Sequence, residues 1–552
     1  MSYIQGTDRD QLCLPTCLED MISADNPVRV IDAFVDMLDM EALGFSKYKP
    51  AYTGRPAYDP KDLLKLYLYG YFFSIRSSRR LMRECRRNIE LMYLLRGLKP
   101  DFRTIADFRK ENSEAIRGAF VELIHFCAFL DLYDTSEDIA IDGSKFRAVN
   151  ANKKMYNQEI LDKKCERIQK KLDAYMDELA QADEREDTLE KTNHNDPRTL
   201  EEKIDVLKKR KNLYTEWKEE LLNSGEKQKL TTDSDARMMH TTKDGYHCCY
   251  NVQTAVSAES KLIVDYQVTN HVNDQGILHN FGNQVKETTC SETIHVIADK
   301  GYDSNDEILS CLNDGIIADV GFRSDKNEKL ISIPFVPVSI DEKVQKSGEP
   351  ENIRKCLQAG VLPQCYENTN LSIEVHTIGK IGAFLRNDDK SYVMCPMGKR
   401  IGKVKERRGG MVYKSRTACR SCENRCTASV KTKEVYFGPN TNCVAAKMYG
   451  EKPAVNTPPP DFVPTNSFYK KDPIKKTVIL RIKEDPDKQR QRLCISEHPF
   501  GTVKWHHGAY FVLCRGLRKT TAELGLSFTA YNLRRMINMK GTEELIKAMR
   551  GV

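Results

Sequence analysis

The sequence predicts an α/β protein: a mixed sheet with helices, preceded by an all-helical N-terminal domain and interrupted by a helical hairpin and a cysteine-rich insertion. Three observations carry this. Residues 26–133 show only helical patterning. Short β-rich runs begin at residue 139 and return at 246–257, 261–269, 293–298 and 316–322. Between the first two lies a charged heptad stretch, 157–225, that fits neither pattern. The expected domains are 1–134 (helical, DNA-binding), 135–322 (first part of the sheet domain, with the hairpin), 323–488 (insertion) and 489–552 (a C-terminal helical part completing the sheet domain).

In the N-terminal region, DPKDLLKLYLYGYFFSI (59–75) has Asp59 as helix cap and Pro60 at the first helical position. Apolar residues crowd most of its surface, so a central helix is expected. SSRRLMRECRRN (77–88) is a short basic helix, and Thr104 with Asp107 reads as the start of another. The run DIAIDGSKFRAV (138–149) reads as a strand ending near Asp142. In the hairpin, Leu161, Cys165, Ile168, Leu172, Tyr175 and Leu179 form a heptad seam, NHNDP (193–197) breaks it, and Leu200, Ile204 and Leu207 resume it. Two strands with a short AES link (258–260) follow, then a helix over 274–288, a doubly buried strand ending at Asp299, a capped helix and a further buried strand (316–322). Three antiparallel strands followed by alternating helix and strand is the layout of a ribonuclease H-like mixed sheet.

A chain of 552 residues exceeds one ordinary core. Its net charge of +7 favours a polyanionic partner. The cations cluster: Arg76, Arg79, Arg80, Arg83, Arg86 and Arg87 in one segment, KVKERR (403–408) in another. This is a nucleic-acid footprint; the competing reading is a solvated helix face. The opening MSYIQGTDRDQ is polar and no apolar run nears a membrane span, so a cytoplasmic protein with reduced thiols and no membrane partner is expected.

Cleaving a phosphodiester requires an in-line nucleophile and neutralisation of charge on the attacking and leaving oxygens. Two Mg²⁺ ions about 3.5–4 Å apart supply both. Such ions need carboxylates from distant parts of the chain, and a strand fixes the direction of an Asp well. Asp142 and Asp299 each follow an apolar run, with Gly143 and Gly301 close behind. Either alone could be a turn-forming Asp; together, on neighbouring strands, they point to catalysis.

IDGSKFRA around Asp142, IADKGYDS around Asp299 and EHPFGTVK from Glu497 resemble the three catalytic blocks of bacterial insertion-sequence transposases of the DDE type. RPAYDPKDLLKLYLYGY (55–71) and DFRTIADFRKEN (101–112) are similar to the helical region preceding the catalytic domain in that group. The resemblance covers most of the chain apart from the hairpin and parts of 323–390. It implies a metal-dependent DNA transposase with a ribonuclease H-like catalytic domain. Asp142, Asp299 and Glu497 would hold Mg²⁺ (or Mn²⁺). Water would cleave at the element end and the freed 3′-OH would attack target DNA. The partners would be double-stranded DNA and, on paired ends, a second copy of the chain. Many relatives carry a Lys seven residues after the Glu, here Lys504, which would hold a DNA phosphate. They also carry a Tyr and an Arg seven and four residues before it; Arg490 and Leu493 stand there instead, leaving Arg490 or Arg492 as substitutes. Pro499 sits inside the expected Glu-bearing helix.

A second site is expected in the insertion. Cys419, Cys422 and Cys426 place three soft ligands within eight residues, and Cys395 in MCPMGKR (394–400) would be the fourth of a closed structural Zn²⁺ site. The competing reading is buried reduced thiols. Arg416, Arg420 and Arg425 lie among them. His498, His506 and His507 are read as structural or DNA-contacting, and Trp505 as core packing, with stacking on an unpaired base as the competing reading. The rival functions are a ribonuclease H-like nuclease without strand transfer, an inactive transposase-derived DNA-binding protein, and a zinc-stabilised scaffold.

Overall fold

The computed structural model describes residues 17–551 except 50–55, 135, 151–154, 185–199, 227, 242–244, 323–327, 368, 379–380, 423–425, 427–431, 449–454, 456–458 and 462–474. Six helices open the chain: α1 (Val28–Met37), α2 (Pro60–Phe72), α3 (Ser78–Glu84), α4 (Ile89–Leu94), α5 (Phe102–Glu111) and α6 (Ser113–Phe129). The Asp59 carboxylate accepts the Lys61 N–H at 2.8 Å, and Pro60 takes the first helical position, where a missing N–H costs nothing. Nearly every residue of α2 is buried, as expected of a central helix. Helix α5 starts earlier than Thr104. Asp101 caps it, accepting the Arg103 and Thr104 N–H groups at 2.8 and 3.3 Å and the Thr104 hydroxyl at 2.8 Å. Its short carboxylate reaches the orphan donors of the first turn, so Thr104 becomes a donor within that turn.

Strand β1 (Asp138–Arg147) follows. The expected end near Asp142 is therefore corrected: the strand continues five residues further, because its antiparallel partner is long enough to pair Arg147 with Cys249. Next come β2 (Met155–Tyr156), α7 (Gln158–Glu184), α8 (Leu200–Ser224) and β3 (Lys229–Leu230). β2 and β3 pair and close the base of the hairpin. Leu161, Ile168 and Leu172 pack with Ile204, Tyr214 and Leu221 along the heptad seam. The NHNDP break lies outside the described residues, as does the Leu179 side chain. Strands β4 (Arg237–Thr241), β5 (Gly245–Ser257) and β6 (Ile263–Thr269), helix α9 (Leu278–Thr289) and β7 (Ile294–Ala298) follow. β5 is the backbone of the sheet. β1 runs antiparallel along one side of it, and β4 and β6 pair with successive stretches of the other. β7 joins β1 in parallel. β4 was absent from the sequence reading.

The chain divides into two compact units, one of residues 1–302 with 486–552, the other of residues 303–485. The second holds α10 (Asn305–Asn313), β8 (Ile316–Val320), β9 (Glu328–Pro334), α11 (Glu342–Lys346), α12 (Pro350–Ala359), β10 (Leu371–Ile378), β11 (Ile381–Arg386), β12 (Tyr392–Met394), β13 (Arg400–Arg407), β14 (Gly410–Lys414), α13 (Arg416–Arg420), β15 (Glu434–Phe437), β16 (Cys443–Lys447) and β17 (Lys475–Lys483). It contains a three-stranded sheet, β10–β17–β9, and a six-stranded one, β15–β14–β13–β12–β11–β16. This region is far more regular than its sequence suggests.

Helix α14 (Pro486–Gly501), α15 (Leu517–Lys540) and α16 (Thr542–Arg550) belong to the first unit. Pro499 lacks an N–H, and soon after it α14 passes at Gly501 into a π-helical turn over Thr502–His506. The core of this unit joins Phe146, Tyr250, Val252 and Tyr266 of the sheet to Phe120 of α6, Phe500 of α14 and Phe528 of α15. No described helix is long and apolar enough to cross a membrane.

One buried ion pair ties the N-terminal helices to this core. Glu523 of α15 is 1% exposed and accepts from Arg76 at 2.7 Å. It also accepts the Leu513 N–H at 2.9 Å and the Cys514 N–H at 2.7 Å. Burial pushes its carboxyl up, but Arg109, Arg76 and these donors outweigh that and hold it below the usual value. Glu523→Ala strands the Arg76 guanidinium in the core. It should lower the unfolding free energy by about 3–5 kcal/mol, measured by urea denaturation. A loss within the scatter of surface substitutions would contradict this packing.

Candidate active site

The parallel register of β1 and β7 pairs Ile141 with Ala298. The next residues are Asp142 and Asp299, which stand side by side on neighbouring strands and on the same face. The Gly143 N–H donates to Asp142 Oδ1 at 2.9 Å, and the Gly301 N–H to Asp299 Oδ1 at 2.7 Å. A 3-10 turn over Lys300–Tyr302 follows, with the Tyr302 N–H donating to the Asp299 carbonyl at 3.1 Å.

Helix α14 lies across these two strands. Gln489 Nε2 donates to the Ala298 carbonyl at 3.2 Å, and Lys488 pairs with Asp138 at 2.8 Å. One helical turn on, Arg492 lies 3.5 Å from Asp142 Oδ2; a further turn on, the Ser496 hydroxyl donates to the same oxygen at 2.9 Å. Phe500 then packs on Phe146. Burial pushes the Asp142 carboxyl above its usual range. Arg492, Ser496 and the Gly143 N–H oppose this, and the neighbouring charge of Asp299 adds to it. The site is thus two adjacent carboxylates facing one guanidinium.

Glu497 follows Ser496, about 100° further round the helix, and is exposed. The structure therefore joins Asp142 and Asp299 directly and places Glu497 on the helix that covers them. Among the described residues, no three His, Cys, Asp or Glu side chains form a group that could hold a metal ion. Ser496 was not singled out in the sequence, and no local signal marks it.

Two sequence families match the chain. Residues 16–111 match the family described as Transposase domain (DUF772), and residues 226–350 match the family described as Transposase DDE domain. The second span contains Asp299; Asp142 and Glu497 lie outside it. The chain is a DDE-type transposase. No curated protein matches it. Among solved structures, the transposase is similar to the piggyBac transposase synaptic complex with hairpin DNA, at 8% identity over 96% of this chain and 79% of that chain, with a TM-score of 0.27. A likeness that low supports no inference about fold.

The transposase distributes its cations differently from the sequence reading. Arg79, Arg80 and Arg83 are exposed on α3, as are Arg86 and Arg87 just after it. Arg76, from the same cluster, is buried on Glu523 and unavailable to DNA. Arg492, expected to contact DNA, is 8% exposed and lies 3.5 Å from Asp142 Oδ2. Arg490 is exposed and pairs with Asp487 at 3.1 Å. Lys504 Nζ donates to Ser144 Oγ at 2.6 Å and the Lys145 carbonyl at 2.9 Å, binding the π-helical turn to β1 beyond Asp142.

His498 contacts the Tyr531 hydroxyl at 2.8 Å, and His507 is buried beside Ser527. Trp505 is 63% exposed, which overturns its reading as core; it stacks on Tyr510 at 5.5 Å.

In the second unit, Cys395 sits at the turn after β12, where its sulfur accepts the Lys399 N–H at 3.2 Å. Burial raises its thiol, and the Cys422 and Cys419 sulfurs raise it further. Cys426 is pushed up to about 11, by burial first and then by Cys419, Cys395 and Cys422. Among the described residues these thiols do not form a group that could hold a metal ion. Arg425 lies outside the described residues.

A triple Arg79→Ala, Arg80→Ala, Arg83→Ala variant should bind duplex DNA with a shallower salt dependence. Each lost phosphate contact reduces the slope of log K against log salt by about one. A slope identical to wild type, by fluorescence anisotropy, would place the DNA elsewhere.

Proposed function

We propose that this transposase cleaves DNA at the ends of an insertion sequence and joins the freed 3′-OH to target DNA, using Asp142, Asp299 and Glu497 as its carboxylate set. The observation that carries this is that Asp142 and Asp299 directly follow the last pair of the β1–β7 register, Ile141 with Ala298, beneath the helix that bears Glu497. The strand pattern supports a ribonuclease H-like domain, with β1, β5 and β6 antiparallel and β7 parallel to β1. The expected division into domains, with the hairpin and the cysteine-rich segment as insertions, belongs to the same reading.

The donor chemistry suits a hard divalent cation, Mg²⁺ or Mn²⁺: two adjacent carboxylates whose mutual repulsion a dication relieves. When bound, such ions activate the nucleophile and neutralise the attacking and leaving oxygens. The chain's own residues do the rest. Asp142 and Asp299 are fixed by the sheet, Ser496 holds one Asp142 oxygen, and Arg492 offsets part of the clustered negative charge. Glu497 extends toward solvent, where a DNA strand approaches. The exposed arginines of α3 bind phosphate, and Lys504 and Arg490 are further candidates. Cleavage by water and attack by the 3′-OH are both substitutions at phosphorus, so one site serves both. Two ends joined in one event require two copies of the chain on DNA. A reducing cytoplasm, where disulfides do not persist, belongs to this reading.

Cys395, Cys419, Cys422 and Cys426 form a structural Zn²⁺ site in this reading. Its support is the spacing of the three cysteines at 419–426, their electrostatic influence on Cys395 and Cys426, and the N–H···S bond to Cys395. Elemental analysis of protein purified without chelator should find one zinc per chain, lost in Cys419→Ser, Cys422→Ser. Zinc-free wild type of full stability would eliminate the site.

The deciding experiment incubates the protein with Mg²⁺ and duplexes carrying its element's ends. Asp299→Ala should lose cleavage and strand transfer by about 10⁴-fold, the scale on which members of a catalytic unit are lost, while still binding DNA. Equal cleavage by both proteins would refute the assignment of Asp299. Binding without cleavage by either would favour an inactive DNA-binding protein, and cleavage without joined products a nuclease.

A further inference from the structure

Beneath the carboxylate pair, on the opposite face of β1, lies a polar cluster that the proposed chemistry does not use. Gly143 is its centre. A Cβ at this position would lie 2.5 Å from Gln253 Nε2, 2.6 Å from Asp274 Oδ1 and 3.2 Å from Asn251 Oδ1. Glycine is thus required next to Asp142 because polar side chains press on the backbone there. Asp274 Oδ1 accepts from Asn251 Nδ2 at 2.7 Å and from Gln253 Nε2 at 2.8 Å, and Lys145 Nζ lies 3.6 Å from it. The other end of Gln253 accepts the Tyr302 hydroxyl. Asn251 and Gln253 are fully buried and Tyr302 is 1% exposed.

Core positions of a strand are ordinarily apolar, and buried amides are costly unless paired. Here the pairing runs along a specific path. Gln253 stands opposite Gly143 in the ladder, one residue from Asp142. Tyr302 closes the turn that begins at Asp299, its own N–H bonded to the Asp299 carbonyl. Asp274 comes from the loop between β6 and α9. The chain Asp274–Gln253–Tyr302 therefore connects the backbone that carries Asp142 to the turn that carries Asp299.

We propose that Asp274, Gln253 and Tyr302 are positioning residues, a clamp that sets the separation of Asp142 and Asp299 and thereby their shared affinity for a divalent cation. This rests on the assignment of those two carboxylates as the cation-binding pair. Asp274 orients the Gln253 amide, so that Nε2 faces the carboxylate and Oε1 is left to receive the Tyr302 hydroxyl.

The test compares wild type, Asp274→Ala, Asp274→Asn, Tyr302→Phe and Asp299→Ala as full-length proteins. It measures Mn²⁺ binding by calorimetry, binding of end DNA without metal, melting temperature, and cleavage against Mg²⁺ concentration. Asp274→Ala should weaken Mn²⁺ binding and slow cleavage by about 10- to 100-fold, the usual cost of losing an outer partner of a metal ligand, with DNA binding unchanged. Asp274→Asn keeps an acceptor oxygen and should recover most of both. Tyr302→Phe removes one hydroxyl from the clamp and should weaken Mn²⁺ binding even if Asp274→Ala fails to fold. Wild-type Mn²⁺ affinity in folded Asp274→Ala, or in Tyr302→Phe, would overturn the clamp. So would a lowered melting temperature with unaltered metal affinity, which marks a merely structural role. Unimpaired cleavage by Asp299→Ala would instead remove the carboxylate assignment beneath it.

Discussion

The buried pair between Glu523 and Arg76 is the constraint on which the first unit depends. A carboxylate taken wholly out of water must be compensated on every side, and Glu523 is: a guanidinium, two backbone N–H groups and the nearby Arg109 charge surround it. Those partners come from the segment after α2, from residues 513–514 and from α5. Satisfying one side chain therefore fixes α15 against the N-terminal helices and anchors the segment that follows the π-helical turn. A second buried pair repeats the device. Arg117 of α6 meets Asp265 of β6, and Asp265 also accepts from Thr288 at 2.7 Å. The helical region is thus held to the sheet by directional contacts as well as by apolar packing.

That arrangement matters because the site tolerates little slack. Two carboxylates on adjacent strands repel one another, and the fold does not relieve this by separating them. It leaves the repulsion in place and brings a single guanidinium and a hydroxyl to Asp142 from α14. The position of α14 is itself determined at both ends, by Lys488 and Gln489 on the strand termini and by Phe500 on Phe146. A helix placed this way presents Glu497 at a defined height above the strands.

Much of this was legible in the sequence where local chemistry and tertiary structure agree. Asp59 and Pro60 start a helix, the heptad leucines and isoleucines of 161–204 make a hairpin, and Asp142 and Asp299 mark strands that turn out to be neighbours. What failed were inferences from one segment about another. β1 was expected to end near Asp142, yet the ladder to β5 continues through Gly143, where a side chain would meet Gln253 and Asp274. β13 was unreadable as a strand because its charged side chains are exposed along nearly its whole length, which erases the alternation that marks a half-buried strand. Arg76 and Arg79 lie three residues apart in one basic cluster, yet one is core and the other surface; only the position of Glu523, more than four hundred residues away, distinguishes them.

The same non-locality explains how the site tolerates its interruptions. The hairpin enters and leaves through two short paired strands, β2 and β3, so its long helices add length without displacing β1 from β5. The chain departs from the first unit directly after Tyr302 and re-enters it at Pro486, the first residue of α14. Closing a longer loop costs entropy only logarithmically, about 0.6 kcal/mol per doubling, so inserting a whole unit there is thermodynamically mild. What could not be moved is the short span from Asp299 to Tyr302, because its ends face opposite demands: the carboxylate must meet Asp142 on one side of the sheet while the tyrosine hydroxyl reaches Gln253 on the other.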